Sequence, residues 1–298
     1  MNKFIECLKL IELGCLKLEI SKKLDLTEFK TLELIGKINN ALDGIVKTSA
    51  TDRFFLTRKI DWLNLEKVRA YLKQLEREQY NLIILDEVDS TNDYIITNLD
   101  KLVTNTVVSS ETQIKGRGRG HKVWSSKIGV DLTSSFLYWL PTESDFEVLP
   151  LVVAVAINRL FKDLSVKSFI KWPNDIMLED KTKIAGILVE SGIRNDKRFI
   201  VIGVGINNIL GTDRNWLLAE LINNLENVLS EFTFFGFDLI KREWLDNCIH
   251  LNKMVKMYRD EVLLIGGKHV NINEQGHLLI EFDRKIYEFG NSNISLRF

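Results

Sequence analysis

The sequence predicts an α+β protein in three parts, and three changes of pattern along the 298 residues carry that reading. Residues 1–65 read as short helices followed by a strand pair, residues 66–250 mix strand-like and helical runs, and residues 251–298 are short strands broken by glycines. Helices leading into a small hairpin describe a winged helix-turn-helix, and short strands with Gly turns describe a small barrel-like module.

In the first part FIECLKLIEL has helical spacing, ISKKLDLTEFKTLELIGKI reads as helix, tight turn and second helix, and GIVKTSATDRFFLT as two strands around a polar tip. TEFKTLELIGKI takes the place of a recognition helix, with Thr27 as its cap, Lys30 and Lys37 available for phosphate contacts and Arg53 in the wing. The electrostatic footprint is weak: eleven basic side chains face nine acidic ones over residues 1–65, and Glu28 and Glu33 share that helix.

The central part offers strands at LIIL, TVVSS, VDLTSSFLYWL, KIAGILVES and FIVIGVGIN. Between them PLVVAVAINRLFKDL reads as a helix with Pro150 in its first turn, and DRNWLLAELINNLENVLSEF and FDLIKREWLDNCIHL read as helices beyond them. In the last part VLLIGGKHV, HLLIEF and KIYEF supply the short strands.

With 40 Lys+Arg against 41 Asp+Glu the chain has no bulk charge for nucleic acid or membrane, so any polyanion must meet a local patch. The start lacks the regions of a secretory signal, and the longest apolar run, residues 148–157, is too short to span a bilayer. A cytoplasmic protein with no membrane contact is expected. Cys7, Cys15 and Cys248 form no CxxC pair, and His121, His250, His269 and His277 show no ligand spacing, so reduced thiols and no metal site are expected.

The stretch KGRGRGHKVWSS, residues 115–126, places three glycines and four cations in its first eight residues without an acid. Arg and Lys give charge-assisted hydrogen bonds to polyphosphate, and glycines let backbone N–H groups come close, so the loop reads as an anion trap or as a basic surface loop. It ends in no GK[ST] and lacks GxGxxG spacing between strand and helix, which excludes a Walker A and a Rossmann turn.

Five blocks in order resemble the biotin protein ligases: DSTN at residues 89–92, the loop with Gln113 before it and Trp124 closing it, KWPND at 171–175, KIAGILVE at 183–190, and GVGIN at 203–207. The resemblance implies a class II synthetase-like catalytic domain with an SH3-like C-terminal barrel. It also implies two substrates, biotin and ATP with Mg2+, joined as an acyl adenylate before transfer to a lysine on the biotin carboxyl carrier protein domain of acetyl-CoA carboxylase.

By the same resemblance Lys183, Arg117 and Asp175 are catalytic. Ser90, Thr91 and Gln113 surround the ureido ring, and Asn92, Gly116, Arg117, Gly118, Arg119, Lys183, Gly186 and Gly205 complete the biotin site. Arg119, Lys122, Trp124, Asn174, Asn207, Asn208 and Arg297 fall on the nucleotide. Bacterial members often double as biotin operon repressors, which implies operator DNA as a partner and a ligand-promoted homodimer. The family loop GRGRxGRxW departs here at His121 and Lys122, and lysine loses the bidentate fork of arginine. A biotin-sensing regulator with weak or no ligase activity, and a lipoate ligase, are the alternatives.

Overall fold

A computed structural model describes residues 3–120, 122–142, 147–290 and 294–298; His121 lies outside the described residues. The first part forms α1 (Lys3–Glu12), α2 (Lys17–Lys23), α3 (Glu28–Ala41) and an antiparallel hairpin of β1 (Val46–Thr48) and β2 (Phe54–Leu56). Thr27 caps α3, its side chain accepting from the Lys30 amide at 3.3 Å. Lys30 and Lys37 are exposed on α3. Arg53 is committed within this part, donating to the Gly14 carbonyl at 2.8 Å.

The sequence reading passed over α4 (Leu65–Gln74), which Asn64 caps. β3 (Asn81–Val88), α5 (Thr91–Thr97), β4 (Thr106–Gln113) and β5 (Leu132–Leu140) follow, then α6 (Leu149–Asp163), β6 (Phe169–Lys171), β7 (Asp175–Met177), β8 (Lys183–Arg194) and β9 (Lys197–Ile206). These strands make one seven-stranded sheet in the order β3-β4-β5-β9-β8-β7-β6, mixed because β3 and β4 run parallel while the other neighbours are antiparallel. KWPND is the turn joining β6 to β7, with a cis peptide between Trp172 and Pro173.

The apolar stretch of α6 is buried along almost its whole length, so it packs as a core helix rather than a surface one. With α7 (Arg214–Phe235) and α8 (Phe237–Asp246) it covers one face of the sheet, and α5 with Ile95 packs against Val108, Leu137 and Val201 in a separate cluster. The helical reading of FDLIKREWLDNCIHL stops at Asp246; Cys248 to Leu251 form a turn that pairs with Ile170 of β6.

The C-terminal strands β10 (Met254–Arg259), β11 (Val262–Ile272), β12 (Leu278–Phe282), β13 (Lys285–Phe289) and β14 (Ile294–Arg297) form an antiparallel sheet in the order β13-β12-β11-β10-β14. No helix of the described residues is long and apolar enough to cross a membrane.

Candidate active site

The blocks DSTN, KWPND, KIAGILVE and GVGIN, scattered over more than a hundred positions, meet at one cleft of about 800 Å³ on the central sheet, together with the glycine loop and β14. Its lining carries two kinds of group. One set is neutral and rich in donors and acceptors: Ser90, Thr91, Gln113, Thr133 and Ser134. The other is cationic: Arg117, Arg119, Lys122, Lys171, Lys183 and Arg297.

Among the neutral groups Ser90 caps α5, accepting from the Asp93 amide at 3.4 Å. Gln113 Oε1 accepts from the Thr91 amide at 2.8 Å and lies 3.1 Å from the Thr91 hydroxyl. Asn92 is buried and occupied, its amide donating to Glu190 at 2.8 Å and its oxygen lying 2.5 Å from Ser135 Oγ. A Cβ at Gly203 would stand 2.5 Å from that oxygen, so bare backbone there makes room for Asn92.

The two arms of the loop pair closely, Arg117 lying opposite Val123. Trp124 donates from its backbone to the Gly116 carbonyl at 2.8 Å, and Gly118 to the Lys122 carbonyl at 2.7 Å. This closure lays the Trp124 indole on β8 and β9, where Gly186 and Gly205 are paired across the two strands. A Cβ at Gly205 would stand 2.2 Å from the indole and one at Gly186 2.9 Å, so two strand glycines form the floor under the ring. Trp124 Nε1 is buried with no hydrogen-bond partner.

Three of the cleft's cations, Lys183, Arg117 and Arg297, carry internal counter-ions. Lys183 Nζ lies 2.6 Å from Asp175 Oδ1 and 5.4 Å from the Trp124 ring centre. Arg117 binds Asp93 and, at 3.0 Å, Glu190; burial works against its charge, but the two carboxylates outweigh it and raise its pKa above the usual guanidinium value. Arg297 pairs with Glu261 and lies 4.4 Å over the Tyr258 ring. Arg119 reaches Asn174 Oδ1 at 3.4 Å, and burial lowers its pKa. These three positions are preformed for negative charge, which an anionic ligand can supply in place of the protein's own carboxylates.

Three residues expected in the site stand just behind it. Gly116 is buried against Trp124. Asn207 donates to the Lys183 carbonyl at 3.1 Å and so fixes the start of β8, and Asn208 closes the turn to Thr212 through hydrogen bonds of 2.6 and 3.1 Å. The sequence reading had not weighed Lys171 as a site residue, although it opens KWPND. Burial lowers its pKa, with Lys122, Lys183 and Arg297 adding to that effect and Asp175 opposing it. Glu190, the last residue of KIAGILVE, was also legible as part of a motif but not as the tie between Asn92 and Arg117.

A mixed sheet carrying a cleft lined by neutral polar groups and by cations suits a ligand that is part neutral and polar, part anionic. A family model described as the biotin/lipoate A/B protein ligase family matches residues 84–207. The bifunctional ligase/repressor BirA of Salmonella typhimurium is 32% identical over 275 residues, covering 82% of this chain and 81% of that protein, and BirA of Escherichia coli is 32% identical over 274 residues with the same coverage. The structure of the Aquifex aeolicus biotin protein ligase in complex with biotin and ATP superposes with a TM-score of 0.64 at 28% identity, covering 73% of this chain and 98% of that one. The chain belongs to the biotin/lipoate protein ligase family.

Proposed function

We propose that the protein is an ATP-dependent biotin protein ligase. The biotin carboxylate oxygen attacks the α-phosphorus of ATP, which enters as its Mg2+ complex; the bond to pyrophosphate breaks, and biotinyl-5'-AMP remains in the cleft. An acceptor lysine amine then attacks the acyl carbon and AMP leaves, giving a biotinylated carrier domain of acetyl-CoA carboxylase. The observation that carries this reading is the mixed lining of one cleft: hydroxyl and amide groups suited to a ureido ring share it with Arg119, Lys122, Lys171, Lys183 and Arg297, which suit a polyphosphate.

In this reading the ureido ring lies against Ser90, Thr91 and Gln113, and the nucleotide against Trp124, Asn174 and the cations. Lys183 leaves Asp175 for the reacting carboxylate and α-phosphate, where negative charge otherwise repels the attacking oxygen. Asp175, once released, accepts the proton of the acceptor lysine. The paired arms of the loop, Arg117 and Gly118 opposite Lys122 and Val123, cover the adenylate and keep water from it. The paired Lys183 and Asp175 argue against a sensor without turnover.

The test is biotin-dependent exchange of labelled pyrophosphate into ATP, with lipoate as the parallel acid. Exchange with biotin and not lipoate is expected, falling about 100-fold or more in K183A. Absence of exchange with either acid removes the ligase reading.

We also propose that residues 1–65 are a winged helix-turn-helix, that residues 66–250 are the catalytic domain with an SH3-like barrel in residues 251–298, and that the protein is a cytoplasmic biotin-responsive repressor acting as a ligand-promoted homodimer on operator DNA. The exposed Lys30 and Lys37 on α3 and the ligase/repressor relatives support this. A DNA duplex of mixed sequence measures it: the double variant K30A/K37A should lower the slope of log affinity against log salt by about 1 to 2. An unchanged slope rules that face out.

A further inference from the structure

Behind KWPND, away from the cleft, three side chains converge that no motif joins: Cys248, His250 and His269. The sequence reading found no ligand spacing among the histidines and cysteines, because His269 meets Cys248 and His250 only through the fold. The turn after α8 pairs with β6, Ile249 donating to the Ile170 carbonyl at 3.0 Å, and with β11, Asn252 donating to the His269 carbonyl at 2.8 Å. His250 and His269 are both fully buried.

Two backbone groups of fixed polarity settle where the imidazole protons are. The Trp172 backbone N–H can only donate, and it points at His250 Nε2 at 3.0 Å; that nitrogen is therefore bare and the proton sits on Nδ1. His250 Nδ1 lies 3.0 Å from His269 Nδ1, which must then accept, leaving the His269 proton on Nε2. His269 Nε2 lies 3.1 Å from the Asn271 carbonyl, which can only accept. Every donor finds an acceptor in one direction, from Trp172 to Asn271, with both rings neutral. Burial and the neighbouring His269, Lys171 and Lys253 depress the His250 pKa well below the ordinary imidazole value, and burial depresses that of His269 to about 4.

The same assignment removes a metal from the triad. A metal-bound Nδ1 would put the His250 proton on Nε2, face to face with the Trp172 N–H. Cys248 Sγ lies 3.5 Å from His250 Nδ1 and 3.6 Å from Nε2, so it sits across the ring rather than along the Nδ1 lone pair.

We propose that His250 is a positioning residue for the reaction: oriented by His269, it holds the Trp172 main chain and thereby places Asn174 and Asp175 where Arg119 and Lys183 meet them. Trp172 is gripped a second time by its indole, which donates to the Gly276 carbonyl at 3.1 Å, so both N–H groups of this residue end on segments beyond α8. One residue along, Pro173 leads into Asn174, whose amide donates to the Ile187 carbonyl at 2.7 Å, and into Asp175 at 2.6 Å from Lys183. A shift of the Trp172 main chain is passed directly to both groups.

This inference rests on the adenylating reading above, and its test separates the two. In the full-length chain, saturating biotin-dependent pyrophosphate exchange is measured for the unmutated protein, H250F and H250Q, beside thermal unfolding of each. H250F fills the volume without an acceptor, whereas the Gln oxygen can take the Trp172 N–H. H250F, folded at the assay temperature, should lose roughly tenfold or more in kcat with smaller changes in KM, and H250Q should recover most of it. Equal kcat in folded H250F and unmutated protein overturns the proposal. Nitrogen-15 spectra of the unmutated chain need no variant: they should show neutral His250 protonated on Nδ1 and neutral His269 protonated on Nε2. The reverse tautomer at His250, or one bound zinc per chain, overturns it. Absence of exchange in the unmutated chain falls on the assigned reaction instead, and the spectra still decide for the relay.

Discussion

The N-terminal helices close on a core of their own, in which Leu8, Ile11, Ile20, Ile35 and Ile38 are buried together, whereas the C-terminal strands share theirs with the central sheet. Val255, Met257, Ile272, Leu278 and Ile280 belong to the same apolar cluster as α6, α7 and the sheet. The joints differ in kind as well. The first part is tied on by polar contacts: Lys9 to Asp86 at 2.7 Å, the Leu63 amide to Glu111 at 2.6 Å, and the buried Arg214, which donates to the Asp61 carbonyl at 2.8 Å. The last part contributes to the cleft itself through Asp260, Glu261, Ser295 and Arg297. A region with its own core can change its attachment without unfolding; a region that shares its core and lends side chains to a site cannot leave without dismantling it.

The largest consequence is for packing. Ile280→Ala removes a fully buried side chain from the shared core and should cost about 2 to 5 kcal/mol of the stability of the whole catalytic body, lowering exchange activity near the transition. Ile38→Ala, equally buried, should cost a similar amount within the first 65 residues and leave exchange kinetics at 25 °C unchanged. Denaturant unfolding followed together with activity separates the two, and coincident loss in both variants would break the comparison.

A second consequence is acid sensitivity at the C-terminal joint. In the unfolded chain His269 takes up a proton near its ordinary value of 6.5, while in the folded chain it resists down to about 4. The unfolded state therefore binds more protons between those values. Stability is full above pH 6.5 and is lost as pH falls toward 4, by on the order of 3 kcal/mol from His269, with His250 acting in the same direction. Urea unfolding at pH 7, 5.5 and 4.5 should show a steeper loss in the unmutated chain than in the double variant H250F/H269L; parallel slopes would contradict it.

The smallest effect concerns the lent side chain. Arg297 is exposed and paired with Glu261, so R297A should leave stability nearly unchanged while lowering ATP-dependent exchange about tenfold, through KM for ATP more than through kcat. An unchanged KM would confine the nucleotide to the central sheet.

Much of this was legible in the sequence because it is local. LIIL, TVVSS, VDLTSSFLYWL, KIAGILVES and FIVIGVGIN all fall in strands of the central sheet, and the Pro150 run is α6. The contiguous motifs carried most of the cleft, since spacing within a motif fixes which side chains leave the same turn. α4 was passed over because LEKVRAYLKQ buries only Val68 and Leu72, a stripe too thin to stand out. The helix before Cys248 was read too far because no Gly or Pro follows Asp246. The carboxylate partners of Arg117 and the His250 to His269 contact were illegible for one reason: each joins segments brought together only by tertiary packing.

The most direct measurement is native-state hydrogen exchange across the chain, with and without biotin and ATP. Amides of β10, β11 and β12 should open with the same free energy as β5 and β9, the ligands should raise both together, and α1 to α3 should open at a lower energy of their own. C-terminal strands that exchange while β5 and β9 stay protected would show a separable module, and the account of a shared body would fail.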